Sequence, residues 1–291
     1  MTAFPPWALT ALRLTVSALC LGLAFWLMPD GALPQLAEAQ PGWLVVAVGL
    51  GVVAIAIMAT RLRVLMGAGA VPLRTAITVT WAGQFGAMLG LGLLSADGAR
   101  ITILVRTGCS VASASQLIVL DRALGLSGLA ILAAAGGGAH LLGLWGGFAV
   151  LLIGLAAALA MLLAMRLVPG LRRALPENAL PLGQLALALV LSVLLHSVTV
   201  VTFLIAALAL GLTPPLPEAI IAVSIGLFFA ILPVSLGGWG VRELAIAQAF
   251  AWVGAPFAGA VPSSVLFGVL AMVVALPGVI ALGLKPRAFT A

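Results

Sequence analysis

Charge is scarce in this sequence, at 7% of 291 residues, and only seven residues are acidic. No segment holds enough polar residues to build a soluble domain. Cysteine occurs twice, at Cys20 and Cys109, too far apart to read as a disulfide framework, and Cys20 falls in an apolar run where it packs as a small hydrophobe. Neither of the two histidines, His140 and His196, is followed four or five residues on by an acid, so a His/Asp acyl-transfer pair is absent. No His, Cys or carboxylate cluster has metal-ligand spacing, so no catalytic constellation, metal or cofactor is expected. Nothing in the pattern points to nucleic acid.

What remains is apolar. Hydrophobic residues make up 64% of the chain, with 34 glycines, and mean hydropathy is +1.32. Stretches of membrane-spanning length recur from end to end. The expectation is an all-α, polytopic integral membrane protein forming a single domain over 1–291. Abundant Gly and Ala suit close helix packing in lipid. The spans are placed at Ala11 to Met28, Trp43 to Thr60, Ala76 to Leu94, Val111 to Ala134, Leu141 to Met165, Leu180 to Leu210, Ala219 to Leu232 and Val261 to Leu284. The seventh is short and runs into Pro233 and a glycine cluster. The first reads as a retained signal anchor rather than a cleaved leader.

Arginines set the orientation, because cytoplasmic loops carry an excess of Lys and Arg. Arg61, Arg63 and Arg74 follow the second span, Arg166, Arg172 and Arg173 follow the fifth, and Lys285 and Arg287 come last. Pro29 to Gly42, Gly136 to His140 and Gly211 to Glu218 carry neither Lys nor Arg and are expected outside. Strict alternation would force Arg166, Arg172 and Arg173 outward. A re-entrant hairpin in place of a third crossing removes that conflict, and a second, over Ala219 to Val253, enters from the opposite face. About six full crossings and two re-entrant helical hairpins result, with both termini cytoplasmic. A shift of about 142 residues superposes the two sets, giving inverted halves of approximately 1–138 and 139–291, an arrangement common in secondary transporters.

The few charges within apolar runs stand out. Asp121 and Arg122 lie inside Val111 to Ala134, where a charge costs about 2.5–3.5 kcal/mol on insertion scales. Adjacent helical residues point about 100° apart, so the two should reach separate partners: Arg242 or Arg100 for Asp121, and Glu243 or Asp97 for Arg122. Together these six form an expected polar centre at mid-membrane, either a structural lock or a substrate-lining wall. Pro233 to Glu243 reads as a broken helix in which Ser235, Gly237, Gly238 and Gly240 precede Arg242 and Glu243. Its exposed amides beside Arg242 would suit a phosphate, or else the segment is only a tight hairpin. His196 reads as a packing residue and His140 as solvated. Trp7, Trp26, Trp43, Trp145 and Trp252 sit at span ends, as an interfacial belt would, while Trp81 and Trp239 lie within the hairpins.

Three ordered motifs carry a resemblance over nearly the whole chain: Ser95-Ala96-Asp97-Gly98-Ala99-Arg100; Val119-Leu120-Asp121-Arg122-Ala123-Leu124-Gly125-Leu126; and Leu232-Pro233-Val234-Ser235-Leu236-Gly237-Gly238-Trp239-Gly240-Val241-Arg242-Glu243. The chain resembles the lysylphosphatidylglycerol synthase transmembrane-region family. The resemblance implies a membrane domain that in some members moves aminoacylated phospholipids between leaflets. Synthase members carry a separate soluble aminoacyl-transfer domain after the membrane part, and this sequence stops at Ala291. The expectation is a flippase-like lipid transporter of the inner membrane, not an enzyme, whose partners are membrane lipids with anionic or zwitterionic headgroups. Oligomerisation stays open. The alternative is a membrane subunit or enzyme of lipid, glycolipid or hopanoid synthesis. No P-loop is present, so transport would be downhill or ion-coupled. A formal net charge of +6 favours an acidic lipid at the inner leaflet.

Overall fold

A computed structural model describes residues 6–26, 36–67, 71–88, 93–167, 180–231 and 234–283. Arg172, Arg173, Pro233, Lys285 and Arg287, used above for topology, lie outside the described residues. Among those described there is no strand. In order come α1 (Pro6–Trp26), α2 (Pro41–Met66), α3 (Leu73–Met88), α4 (Leu93–Arg106), α5 (Val111–Leu167), α6 (Leu182–Ala209) and α7 (Leu216–Ile231). A 3-10 turn at Leu236–Gly238 then leads to α8 (Val241–Trp252), α9 (Ala260–Ala275) and α10 (Gly278–Gly283). Helices suit so apolar a chain because they satisfy their backbone polar groups internally.

Among the described residues, four stretches are long and apolar enough to cross a membrane: Pro41–Met66, Val111–Ala160, Leu182–Ala209 and Ala260–Gly283. α1 contributes a shorter apolar stretch, Ala11–Ala24. α5 is not one rod, because Gly143 takes φ 76° and ψ 176°. A Cβ on Gly154 would stand 3.1 Å from Ile131, whereas 23 residues of straight helix would hold them about 35 Å apart. The arms 111–142 and 144–167 therefore fold back on each other. The expected turn was Gly136 to His140, but those residues stay helical. Gly138 lets Val150 of the returning arm approach, and Gly136 does the same for Ile220 of α7. Those glycines serve contact, and the turn falls at Gly143.

Two helical hairpins have short arms. α3 has 16 residues and α4 has 14, while α7 has 16 and α8 has 12. These lengths of about 18–24 Å fall short of a hydrocarbon core about 30 Å thick. Gly83 and Gly86 let α3 press on Arg100 and Ser95 of α4, and Gly226 lets α7 press on Ile246 of α8. The hairpin tips meet: a Cβ at Gly237 would lie 3.4 Å from the Ala87 carbonyl oxygen. The motif Ser95 to Arg100 belongs to α4. The helix has already begun at Leu93, so its acid and arginine project from a helical surface.

The ends of the bundle are chemically distinct. At one, the Gln40 N–H bonds the Ala209 carbonyl at 2.8 Å, His140 pairs with Glu218 at 2.8 Å, and Gly259 abuts Leu212. His140 is thus paired rather than simply solvated. At the other, Arg63 bonds the Val71 carbonyl, and Ala59, Leu62, Ala76, Ile103, Ala114 and Ala281 share one apolar cluster. A second cluster joins Ala47 and Leu132 to Phe203, Phe250 and Phe267. Both cores draw on residues from the two sequence halves. Trp26, Trp43, Trp145 and Trp252 are exposed at helix ends, whereas Trp81 is anchored inside by its indole N–H to the Val274 carbonyl at 2.9 Å.

Candidate functional site

α2 does not stop at Thr60. No Gly or Pro intervenes before Gly67, whose φ of 89° ends the helix, so one further turn and a half carries Arg61 into the bundle. There Arg61 is only 4% exposed. It is not a loop charge. Its Nε donates to Asp121 Oδ1 at 2.8 Å, and its Nη1 donates to the Ser192 hydroxyl of α6 at 2.9 Å. Arg100 of α4 donates from Nη2 to the other Asp121 oxygen at 2.9 Å. Asp121, 1% exposed, thus accepts from two arginines on two different helices. Of the two partners expected for it, Arg100 is present and Arg242 is not.

Arg122 faces away from Asp121 and makes two bonds to Asp97 of α4, at 2.7 and 2.6 Å. That pair keeps 25% and 20% of its side chains exposed. The separate partners expected from the 100° step are realised, with Asp97 in place of Glu243. Asp97 and Arg100, three apart on α4, face neighbouring directions, so two adjacent ion-pair systems tie α4 to the first arm of α5.

The remaining charges form a second centre. In the break before α8, Gly237, Gly238 and Gly240 have φ of 58°, 82° and 82°, angles glycine adopts without a Cβ penalty. The broken backbone is satisfied by protein: the Leu236 N–H donates to the Ser17 hydroxyl of α1, and the Gly240 N–H donates to Glu243 Oε2, each at 2.6 Å. A Cβ on Gly240 would collide with Cys20. The N-cap amide that precedes α8 is therefore bound by Glu243 and covered by α1, rather than open beside Arg242.

Arg242 pairs with Glu243, lies within hydrogen-bond reach of Ser264 on α9, and stacks over Trp239 and Phe267 at 5.1 and 5.4 Å. Gly268 leaves room for the guanidinium. Glu243 is fully buried and Arg242 nearly so. The Ser235 hydroxyl is buried without a hydrogen-bond partner.

The expected single centre at mid-membrane is thus two. Among the described residues no ion pair joins Arg242 or Glu243 to Asp97, Arg100, Asp121 or Arg122. Arg61 lies five residues from the end of α2, about 7.5 Å along the axis, and this places Asp121 toward that end of the bundle. Ser264 stands four residues into α9 from the opposite end. Arg61, Ser192 and Ser264 went unrecognised in the sequence; the unbroken run from Thr60 to Gly67 was the available signal for Arg61. His196 donates its Nε2–H to the Gly125 carbonyl oxygen, 3.0 Å away, consistent with a packing histidine.

Long apolar helices, ion pairs sealed between them and short hairpins meeting inside define an integral membrane protein. No curated protein matches the chain. The model of the family described as Lysylphosphatidylglycerol synthase TM region matches residues 10–278, and the chain belongs to that family. Its members are membrane proteins linked to lipid handling.

Proposed function

We propose that this protein is a flippase-like lipid transporter that moves a polar or anionic lipid between the leaflets of the inner membrane. The observation carrying this reading is the meeting of two hairpins, each too short to cross, at Gly237 and Ala87. Non-spanning helices inside a membrane bundle need a reason, and transporters built from inverted repeats place their sites where such broken helices converge. Charges borne by both hairpins, Arg100 on one and Arg242 with Glu243 on the other, supply polar groups along the interior.

Counting α1, α2, both arms of α5, α6 and the α9–α10 unit as crossings gives six, with α3–α4 and α7–α8 re-entrant from opposite faces. The gathering of Gln40, His140 and Glu218 at one end and of Arg63, Val71 and Ala281 at the other supports this topology. On the excess of arginine, the second end is cytoplasmic. The halves are then inverted, and Gly83 against Arg100 corresponds to Gly226 beside Arg242.

The test is reconstitution of purified protein in vesicles carrying a fluorescent phospholipid, with the outer leaflet bleached chemically. Transbilayer movement faster than in empty vesicles is expected. Equal rates, with and without proton or sodium gradients, would overturn the proposal.

A further inference from the structure

We infer that the Arg61–Asp121–Arg100 triad is an anion site that takes a phosphate oxyanion, carried on a lipid headgroup or free. The lipid source rests on the transport reading, whereas the binding itself does not. Two guanidinium groups face one carboxylate, and all three side chains are at least nine-tenths buried. The triad therefore holds one uncompensated positive charge in an apolar bundle, a costly arrangement that breaks the pattern of the other centres. Arg242 is matched by Glu243, and Arg122 by Asp97. Glu218 is engaged by His140, and among the described residues no second carboxylate pairs with Arg61 or Arg100.

A second observation points to a ligand. The Arg100 Nε is buried and has no hydrogen-bond partner, although Nη2 of the same group is fixed on Asp121. An unfilled N–H on a guanidinium already oriented by a carboxylate suits a tetrahedral oxyanion, because its planar donor fork matches phosphate oxygens. A singly charged phosphodiester would neutralise the triad. The Arg122–Asp97 pair, on the same two helices, is a fifth to a quarter exposed, so solvent reaches the turns of α4 and α5 that carry the triad.

The test uses the full chain in maltoside detergent and phosphate-free buffer. Inorganic phosphate and dioctanoyl phosphatidylglycerol are the probes, with uncharged dioctanoylglycerol as control. Thermal unfolding and equilibrium titration are read from tryptophan fluorescence. Stabilisation by either phosphate probe, with the control inert, is expected, together with at least a tenfold loss of affinity in Arg100→Met. Without any anion that variant should melt no lower than the wild type, because it leaves a neutral Arg61–Asp121 pair. A response to phosphatidylglycerol alone identifies a lipid source, and a response to inorganic phosphate identifies the oxyanion itself. No response to either probe, or an equal response in Arg100→Met, overturns the inference. Arg61→Met makes the same charge change and carries the same expectation if Arg100→Met does not fold. Failure of both to fold also overturns it, since both arginines would then be obligatory partners of Asp121. A chain that binds phosphate but moves no lipid defeats the transport reading alone. A chain that moves lipid without a phosphate response at Arg100 defeats this inference alone.

Discussion

Arg61 donates its Nε–H to Asp121 at 2.8 Å, joining α2 to α5 at a point where both side chains are almost wholly buried. Because Asp121 also accepts from Arg100, one carboxylate holds a long apolar helix and a short hairpin helix against a third element. Arg61 reaches further, to Ser192 of α6. In lipid, where apolar surfaces give helices little reason to prefer one neighbour over another, such directed bonds set register.

Replacing Asp121 by Asn keeps the shape and removes the only carboxylate that pairs with the two arginines among the described residues. Breaking a buried pair by deleting one partner costs about 3–5 kcal/mol, because the other charge is left stranded. Asp121→Asn should lose stability of that order, measured by reversible unfolding in mixed micelles. A loss below about 1 kcal/mol would mean that water already reaches the arginines.

Asp97→Asn should behave differently. Its pair with Arg122 is bidentate but a fifth to a quarter exposed, and ion pairs open to solvent contribute about 1 kcal/mol or less. The same unfolding assay should show this smaller loss, and a rise in salt should weaken the wild-type pair but leave the variant unaffected.

The contrast between these aspartates also shows where sequence reading reaches its limit. That Asp121 and Arg122 must part company followed from helix geometry, and the pairings with Arg100 and Asp97 were among the candidates. The partner supplied by Arg61 was hidden by assigning every arginine after a span to a loop. The helix runs on to Gly67 because nothing before it breaks the backbone. The Gly136 to Gly138 run misled in the opposite direction: glycines mark turns and close contacts alike, and only the approach of Val150 and Ile220 distinguishes them. The break at Gly237 to Gly240 was legible because a proline and three glycines in one short stretch leave little else. That Ser17 of α1 would cover it was not, since a lone serine in an apolar helix carries no mark of its partner.

Gly240 and Gly237 both have positive φ, yet their substitutions should differ. A Cβ at Gly240 would stand 2.5 Å from the Cys20 Cβ and 2.8 Å from the Leu21 nitrogen, whereas at Gly237 the tightest contact is 3.4 Å. Gly237→Ala pays only for the left-handed backbone, about 1–2 kcal/mol. Gly240→Ala adds overpacking against α1, about 1–3 kcal/mol more. Thermal unfolding of the two variants should rank Gly240→Ala clearly lower. Equal melting temperatures would mean that α1 does not rest on the break.

The fold-back at Gly143 can be read by chemistry alone. A Cβ on Gly154 would lie 3.7 Å from the Ile131 Cβ, inside the range of about 3.5–4.5 Å that disulfides bridge. With Cys20 and Cys109 replaced by serine, the double substitution Ile131→Cys and Gly154→Cys should form an intramolecular bond under mild oxidant. It would be seen as a mass loss of two hydrogens and as linked peptides after digestion. The pair Ile131→Cys with Met161→Cys, seven residues further along the returning arm, is the control: two turns of helix, about 10 Å, separate it from the contact, so it should stay reduced. Efficient bridging of both pairs would indicate loose arms, and bridging of neither would indicate a helix that runs straight through Gly143.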